Sequence, residues 1–396
     1  MAKRTHYALY FADDKDLHDL LSTAKQRLTV AKLVELARRR GICLSSEDSR
    51  ESLVEQIARL PHGWRELVAL LEATDTAERT EKLTSCKLDG SFSLKDVFDA
   101  AEMIRDERAD QRNEVYDIQQ LDKVVRVRVK YSDLDTSKTR LVQRSQREFV
   151  VELEKFDEGF RVRHQAQERA AEVVEAIADA LRSTNPEGPG PRRVNVELAG
   201  IRKPNQRTEF FLKLIKGLDG FTLEDVKAVR GSRFAASPPM DENDSGDADG
   251  DENALDNGEE IDAEEASFVA EVKRIALQGE GLLQSPQYQH LIDHEFFVSS
   301  IIWTSTENRQ DGVKAEFEAA FNNPEEGTGF TYAVRKVWER ATNGELKKSK
   351  TPPAKVREDK RLVRILEEAA HSAMTEVINS NAVLLASEGA DEEGTG

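Results

Sequence analysis

The strictest pattern in the chain is VRVRVKY at residues 125–131. Period-two alternation puts Arg126, Arg128 and Lys130 on one face and Val125, Val127 and Val129 on the other, so the stretch predicts a strand with one apolar face. Residues 147–155 alternate in the same way through Phe149, Val151 and Leu153, and 160–164 follow an Asp157-Glu158-Gly159 turn. Three such runs in succession predict an antiparallel sheet. Helical spacing comes next, with Ala170, Val173, Val174, Ile177 and Leu181 on one face of 166–182, and STNPEGPGP ends it. A strand at 194–198, a helix at 207–216 and a strand at 221–229 complete an expected α+β domain over 85–234.

Residues 266–380 predict a second α+β domain with an antiparallel sheet. Strands are expected at 269–277, 296–305, 313–321 and 330–338, and a helix at 284–294. A long helix over 359–379 carries Leu362, Ile365, Leu366, Ala369, Ala373 and Val377 inward. The stretches 196–226 and 275–301 both read strand, glycine (Gly200 or Gly279), helix, strand, as a duplicated unit would. Between the two domains, 235–265 is expected to be a disordered linker. Its part 241–265 holds thirteen Asp or Glu and no Lys or Arg, so it repels itself and buries nothing. These account for thirteen of the eighteen net negative charges, and basic surfaces elsewhere remain compatible with an acidic chain. A disordered tail is expected at 381–396.

Residues 1–75 read as an all-helical module. A strand-like piece at 6–11 precedes a helix capped near Asp13, with Leu17, Leu20, Leu21 and Ala24 as its stripe. Residues 28–60 then form two short amphipathic helices. Val30, Leu33, Leu36 and Ala37 line the first, Gly41 ends it, and Leu53, Val54, Ile57 and Leu60 line the second up to Pro61. A helix at 63–73 follows, with Trp64, Leu67, Leu70 and Leu71.

A basic helix, a glycine bend, a Ser-rich turn and a second short helix resemble the SAP family of small DNA-binding hairpins and its helix-extension-helix relatives. The residues that carry the resemblance are Leu28, Val30, Leu33, Leu36, Gly41, Arg50, Leu53 and Ile57. It implies that the turn and the start of the second helix lie against a DNA backbone, where amides and basic side chains meet phosphates. Lys32, Arg38, Arg39, Arg40 and Arg50 are the candidate contacts here, and the sheet face Arg126, Arg128 and Lys130, extended by Arg161 and Arg163, is the second candidate. Glu152 and Glu154 on the intervening strand offer the alternative of cross-strand ion pairs.

The patterns that would carry catalysis are incomplete. His290 and His294 stand one helical turn apart, with Asp293 where an inverted zinc-peptidase motif has Glu, but no third ligand is apparent. Asp225-Val-Lys227 and Glu271-Val-Lys273 fit part of a cation-dependent nuclease core if both lie on strands. Asp241 to Glu252 matches a loose calcium loop without flanking helices. No phosphate loop or dinucleotide fingerprint occurs. Two cysteines, Cys43 and Cys86, exclude a disulfide framework and fit a reducing compartment. The first sixteen residues have too short an apolar run for a signal peptide, and no run reaches the length of a membrane span.

The expectation is a cytoplasmic, non-catalytic accessory protein that binds nucleic acid, DNA in preference to RNA, without cofactor, metal or membrane. A protein partner is expected at the C-terminal domain, in a multicomponent bacterial system such as phage defence. The alternatives are a degenerate cation-dependent nuclease and a structural adaptor.

Overall fold

The computed structural model describes residues 12–25, 27–74, 82–112, 114–137, 139–157, 159–184, 190–234, 263–278, 290, 292–309, 312–338 and 356–393. The piece at 6–11, the acidic run and calcium-loop match at 241–252, most of the helix expected at 284–294, and the residues beyond 393 lie outside them.

Four helices come first: α1 (Asp14–Thr23), α2 (Val30–Arg39), α3 (Arg50–Ala58) and α4 (Trp64–Thr74). Then follow β1 (Leu83–Asp89), α5 (Leu94–Arg112), β2 (Val115–Leu121), β3 (Val124–Leu134), β4 (Arg144–Phe156), β5 (Gly159–Gln165) and α6 (Glu168–Thr184). The rest is β6 (Arg192–Asn195), α7 (Pro204–Lys216), β7 (Phe221–Arg233), α8 (Ala263–Gln278), β8 (Phe296–Glu307), β9 (Lys314–Asn323), β10 (Thr328–Trp338) and α9 (Val356–Glu393). The class is mixed α+β with antiparallel strand pairing. Among the described residues no helix is long and apolar enough to cross a membrane.

The chain forms two compact units. Unit one takes Met1–Arg79, Gly90–Phe160 and Gln167–Pro191, and unit two takes Thr80–Asp89, Arg161–Ala166 and Arg192–Gly396. In unit one, Asp13 and Asp16 cap α1 reciprocally, at 2.8 and 3.1 Å, and the Ser49 hydroxyl accepts from the Ser52 amide at 3.2 Å to cap α3. Leu20, Leu21, Leu33, Leu53, Ile57 and Leu70 close the helical core. Leu141, in the loop between β3 and β4, is buried in that same core, and Arg140 reaches Asp16 at 3.3 Å. The helical module is therefore anchored to the tip of a hairpin. That hairpin belongs to a sheet ordered β2-β3-β4, whose Val125, Val127, Val129, Phe149, Val151 and Leu153 are fully buried on the side of α5 and α6.

In unit two the strands run β5-β1-β10-β9-β8-β7, with β6 paired to β1. Helices α7, α8 and α9 cover one face, over a core that includes Phe210, Phe211, Phe268, Trp303, Phe317, Leu362 and Leu366. Across this interior runs a buried ionic contact. Glu367 on α9, 1% exposed, accepts from Arg163 Nε and Nη2 on β5 at 2.6 and 2.7 Å, and from the Tyr332 hydroxyl on β10. Arg161 donates to the adjacent Glu368 at 3.1 Å. Burial and the Glu367 charge push the Tyr332 hydroxyl well above its usual pKa.

Several local expectations change. Residues 83–89 and 115–121 are strands that the sequence pattern did not reveal. Residues 269–277 belong to helix α8, because Phe268 and Val272, one turn apart, bury fully in the core of unit two. The second copy of the expected repeat thus begins on a helix and not on a strand, and its residues 279–289 lie outside the described residues. The segments flanking 235–262 are not in separate units: β7 pairs with β8 over most of its length. Helix α9 continues to Glu393, through residues expected as a tail, because NAVLLASE supplies good helix formers and no proline.

Replacing Glu367 with Ala strands Arg163 in the interior. The expected loss is about 3–5 kcal/mol, read as a lower urea midpoint with unchanged slope; unchanged stability would contradict the buried pair. Two buried histidines give a second outcome. Burial holds His164 and, with the charges of Lys87 and Arg161, His371 down at about 4. The unfolded chain, with histidines near 6.5, therefore takes up protons first as pH falls. Stability is full above about pH 6.5 and declines by about 2 kcal/mol per histidine between about pH 6.5 and 5. Urea titrations at those two pH values, with His371→Gln flattening the decline, check it.

Candidate nucleic-acid interface

The arginines of the helical module separate into two sets. Arg40, at the end of α2, donates to the Pro61 carbonyl, meets His62 Nδ1 at 3.2 Å and lies 3.4 Å from Glu66. Only 20% of its side chain is exposed. Arg50 donates to the Leu21 carbonyl at 2.6 Å, and its Nε is buried with no hydrogen-bond partner among the described residues. These two cations hold helices together. Lys32 donates to the Arg27 carbonyl at 2.8 Å on the exposed start of α2.

Arg38 and Arg39 share one carboxylate, Glu35, at 3.6 and 3.1 Å, with side chains 74% and 72% exposed. Arg59, at the end of α3, pairs with Glu55 at 2.6 Å and is 69% exposed. Because Arg40 reaches Pro61 and His62, the ends of α2 and α3 stand side by side, and residues 41–49 run back between them. Gly41 (φ 75°) makes the turn that this return requires. The first turn of α4 adjoins the same end and presents Arg65 and Trp64, the latter 53% exposed. Trp64 therefore does not join the apolar stripe with Leu67, Leu70 and Leu71, which are buried. Arg38, Arg39, Arg40, Arg59 and Arg65 gather here against Glu35, Glu55 and Glu66. Arg59, Arg65 and Trp64 are not among the contacts expected from the sequence, because each stands at the edge of a helix, outside the basic run at 38–40. The signal available was an aromatic between a proline turn and an arginine.

The second candidate face has a different balance. On β3, Arg126 sits opposite Glu152 of β4 and Gln119 of β2, Arg128 opposite Val150 and Asp117, and Lys130 opposite Glu148 and Val115. Glu154 lies on the same face opposite Val124. Arg126 is paired with Glu152 at 2.8 Å, and Arg128 Nε is buried without a hydrogen-bond partner among the described residues. Three cations thus share the surface with Asp117, Glu148, Glu152 and Glu154, so it carries no positive excess. Arg161 and Arg163 do not extend it. Both turn to the Glu367 cluster inside unit two, where their side chains are 10% and 11% exposed.

The two nuclease fragments are neighbours, one on β7 and one on α8. Lys227 Nζ donates to Asp225 at 2.5 Å, which holds that carboxyl below its usual pKa. Glu271 pairs with Arg274 at 2.6 Å on helix α8, while Lys273 donates to the Lys227 carbonyl at 3.0 Å. The two triplets therefore do not sit on two strands of one nuclease core. His290 and His294 lie exposed with ring centroids 4.3 Å apart. Among the described residues no three His, Cys, Asp or Glu side chains converge as a metal site would. Compared with known proteins, the chain matches no family model and no curated protein.

The division between structural and exposed arginines is measurable. Arg40→Ala and Arg50→Ala should each lower stability by about 1–3 kcal/mol, since each leaves a carbonyl without its charged donor. Arg38→Ala and Arg39→Ala should change it by under about 0.5 kcal/mol, the usual scale of exposed i,i+3 and i,i+4 pairs. Equal effects of all four in urea unfolding would contradict the division.

Proposed function

We propose that the protein is a non-catalytic nucleic-acid-binding accessory protein that meets a DNA backbone through the end of its helical module. The observation that carries the reading is the gathering of five arginines against three carboxylates where α2 and α3 end and α4 begins. The local excess is +2 in a chain of net charge −18. Arg38, Arg39 and Arg59 make only exposed pairs with their own helices, and such pairs are weak enough for a phosphate to displace. Trp64 stands among them, as an aromatic does on surfaces that hold nucleic acid. The contact surface is Arg38, Arg39, Arg59 and Arg65. Arg40 and Arg50 support it from within, and the face of Arg126, Arg128 and Lys130 is not part of it.

Binding of a labelled duplex, followed by anisotropy over a salt series, tests the proposal. The intact chain should bind with an affinity that falls with salt. Arg38→Gln with Arg39→Gln should shallow the log–log slope by about 2, because each neutralised phosphate contributes about 0.9. An unchanged slope, or no binding at low salt, would overturn the reading. Gel analysis of the same mixtures in magnesium separates it from the nuclease alternative, which predicts shortened DNA.

A further inference from the structure

We infer that the chain forms a two-fold dimer in which β2 pairs antiparallel with β2 of a second copy. β2 follows β3 through seven consecutive residue pairs without a register shift, and β3 is its one strand neighbour among the described residues. Its sequence, VYDIQQL, contains no proline and no lysine, and the strand has no bulge. Those are the devices by which exposed edges are usually protected from pairing. Helix α5 packs against β2 from the other face, which holds the edge in place. On the outward face Val115 is 66% and Leu121 43% exposed, at opposite ends of the strand.

The occupant follows from the register. A two-fold axis through Ile118 sets Val115 opposite Leu121 of the second copy and Asp117 opposite Gln119. Both exposed apolar side chains then meet an apolar partner. Each Asp117 also meets an amide of the kind it already accepts from within its own strand, where Gln119 Nε2 donates to it at 3.1 Å. The next strand in each copy places Arg128 beside Asp117 and Arg126 beside Gln119, so the central row contains no pair of adjacent acids. Slips by two residues lose this match. One brings Asp117 against Asp117, and the other brings Asp117 against Leu121. One-residue slips set outward side chains against inward ones. The strand is thus complementary to itself in a single register, as an isologous interface requires.

The mass of the intact chain, measured by light scattering across a dilution series, reads the assembly. Twice the 44.5 kDa chain mass is expected at high concentration, with dissociation on dilution. Val115→Asp with Leu121→Asp, both at exposed positions, should be folded by circular dichroism and monomeric throughout. A second readout leaves the edge nearly native. In a Cys43→Ser background, chains carrying Val115→Cys are mixed with chains carrying Leu121→Cys and treated with a short bismaleimide. Crosslinks should form in the mixture and not with Val115→Cys alone, whose two copies would lie about 20 Å apart along the strands. A wild-type chain that stays monomeric, a dimer indifferent to the aspartates, or crosslinks that ignore the register would each overturn the inference. A monomer would leave the edge to the chain's own residues 1–11 or to another protein.

Discussion

Glu367 is the constraint on which unit two depends. A carboxylate 1% exposed is tolerable only with partners that reach it from fixed positions, and it has them: the guanidinium of Arg163 from β5 and the hydroxyl of Tyr332 from β10. Those donors come from residues 204 and 35 positions away in the chain. The contact therefore specifies how the longest helix lies across the sheet, more than it adds net stability. Its apolar surroundings do the rest, through Leu362, Leu366, Ala370 and Ala373 on the same helix.

Arginine is used in three physically different ways. In unit two, Arg207 is 2% exposed and donates to the carbonyls of Ile201, Pro324 and Glu325 at 2.6, 2.7 and 3.0 Å, while burial lowers its pKa to about 10. Arg40 and Arg50 do similar work in the helical module. Arg126 and Arg163 answer carboxylates. Arg38, Arg39 and Arg59 remain in water, tied only to their own helices. A count of basic residues treats these as one population, although the guanidinium groups of the last set are the most exposed of those named.

The fold class and the long amphipathic elements were legible in the sequence, because burial on one side leaves a periodic trace. Residues 125–131 show it with period two, and the stripe Leu362, Leu366, Ala369, Ala373 and Val377 with helical period. Residues 115–121 were silent because an edge strand with an exposed outer face needs little apolar alternation. Residues 269–277 were misleading: Val269, Val272 and Ile275 favour a strand locally, and the burial of Phe268 and Val272 decides for a helix. The candidate site was legible only in part. The basic run at 38–40 is plain, yet nothing local distinguishes an arginine that faces solvent from one whose acceptor, such as the Leu21 carbonyl for Arg50, lies 29 residues away. The same distance problem hid the partners of Arg161 and Arg163.

The proposed contact with nucleic acid is at the end of the helical module. Photo-crosslinking of a duplex carrying photoreactive bases to the intact chain, followed by mass spectrometry of the attached peptides, addresses it without any substitution. Attachment is expected within residues 35–66, at Trp64 and its neighbours first. Attachment confined to the sheet at 115–154 or to unit two, or none above the level seen at high salt, would contradict it.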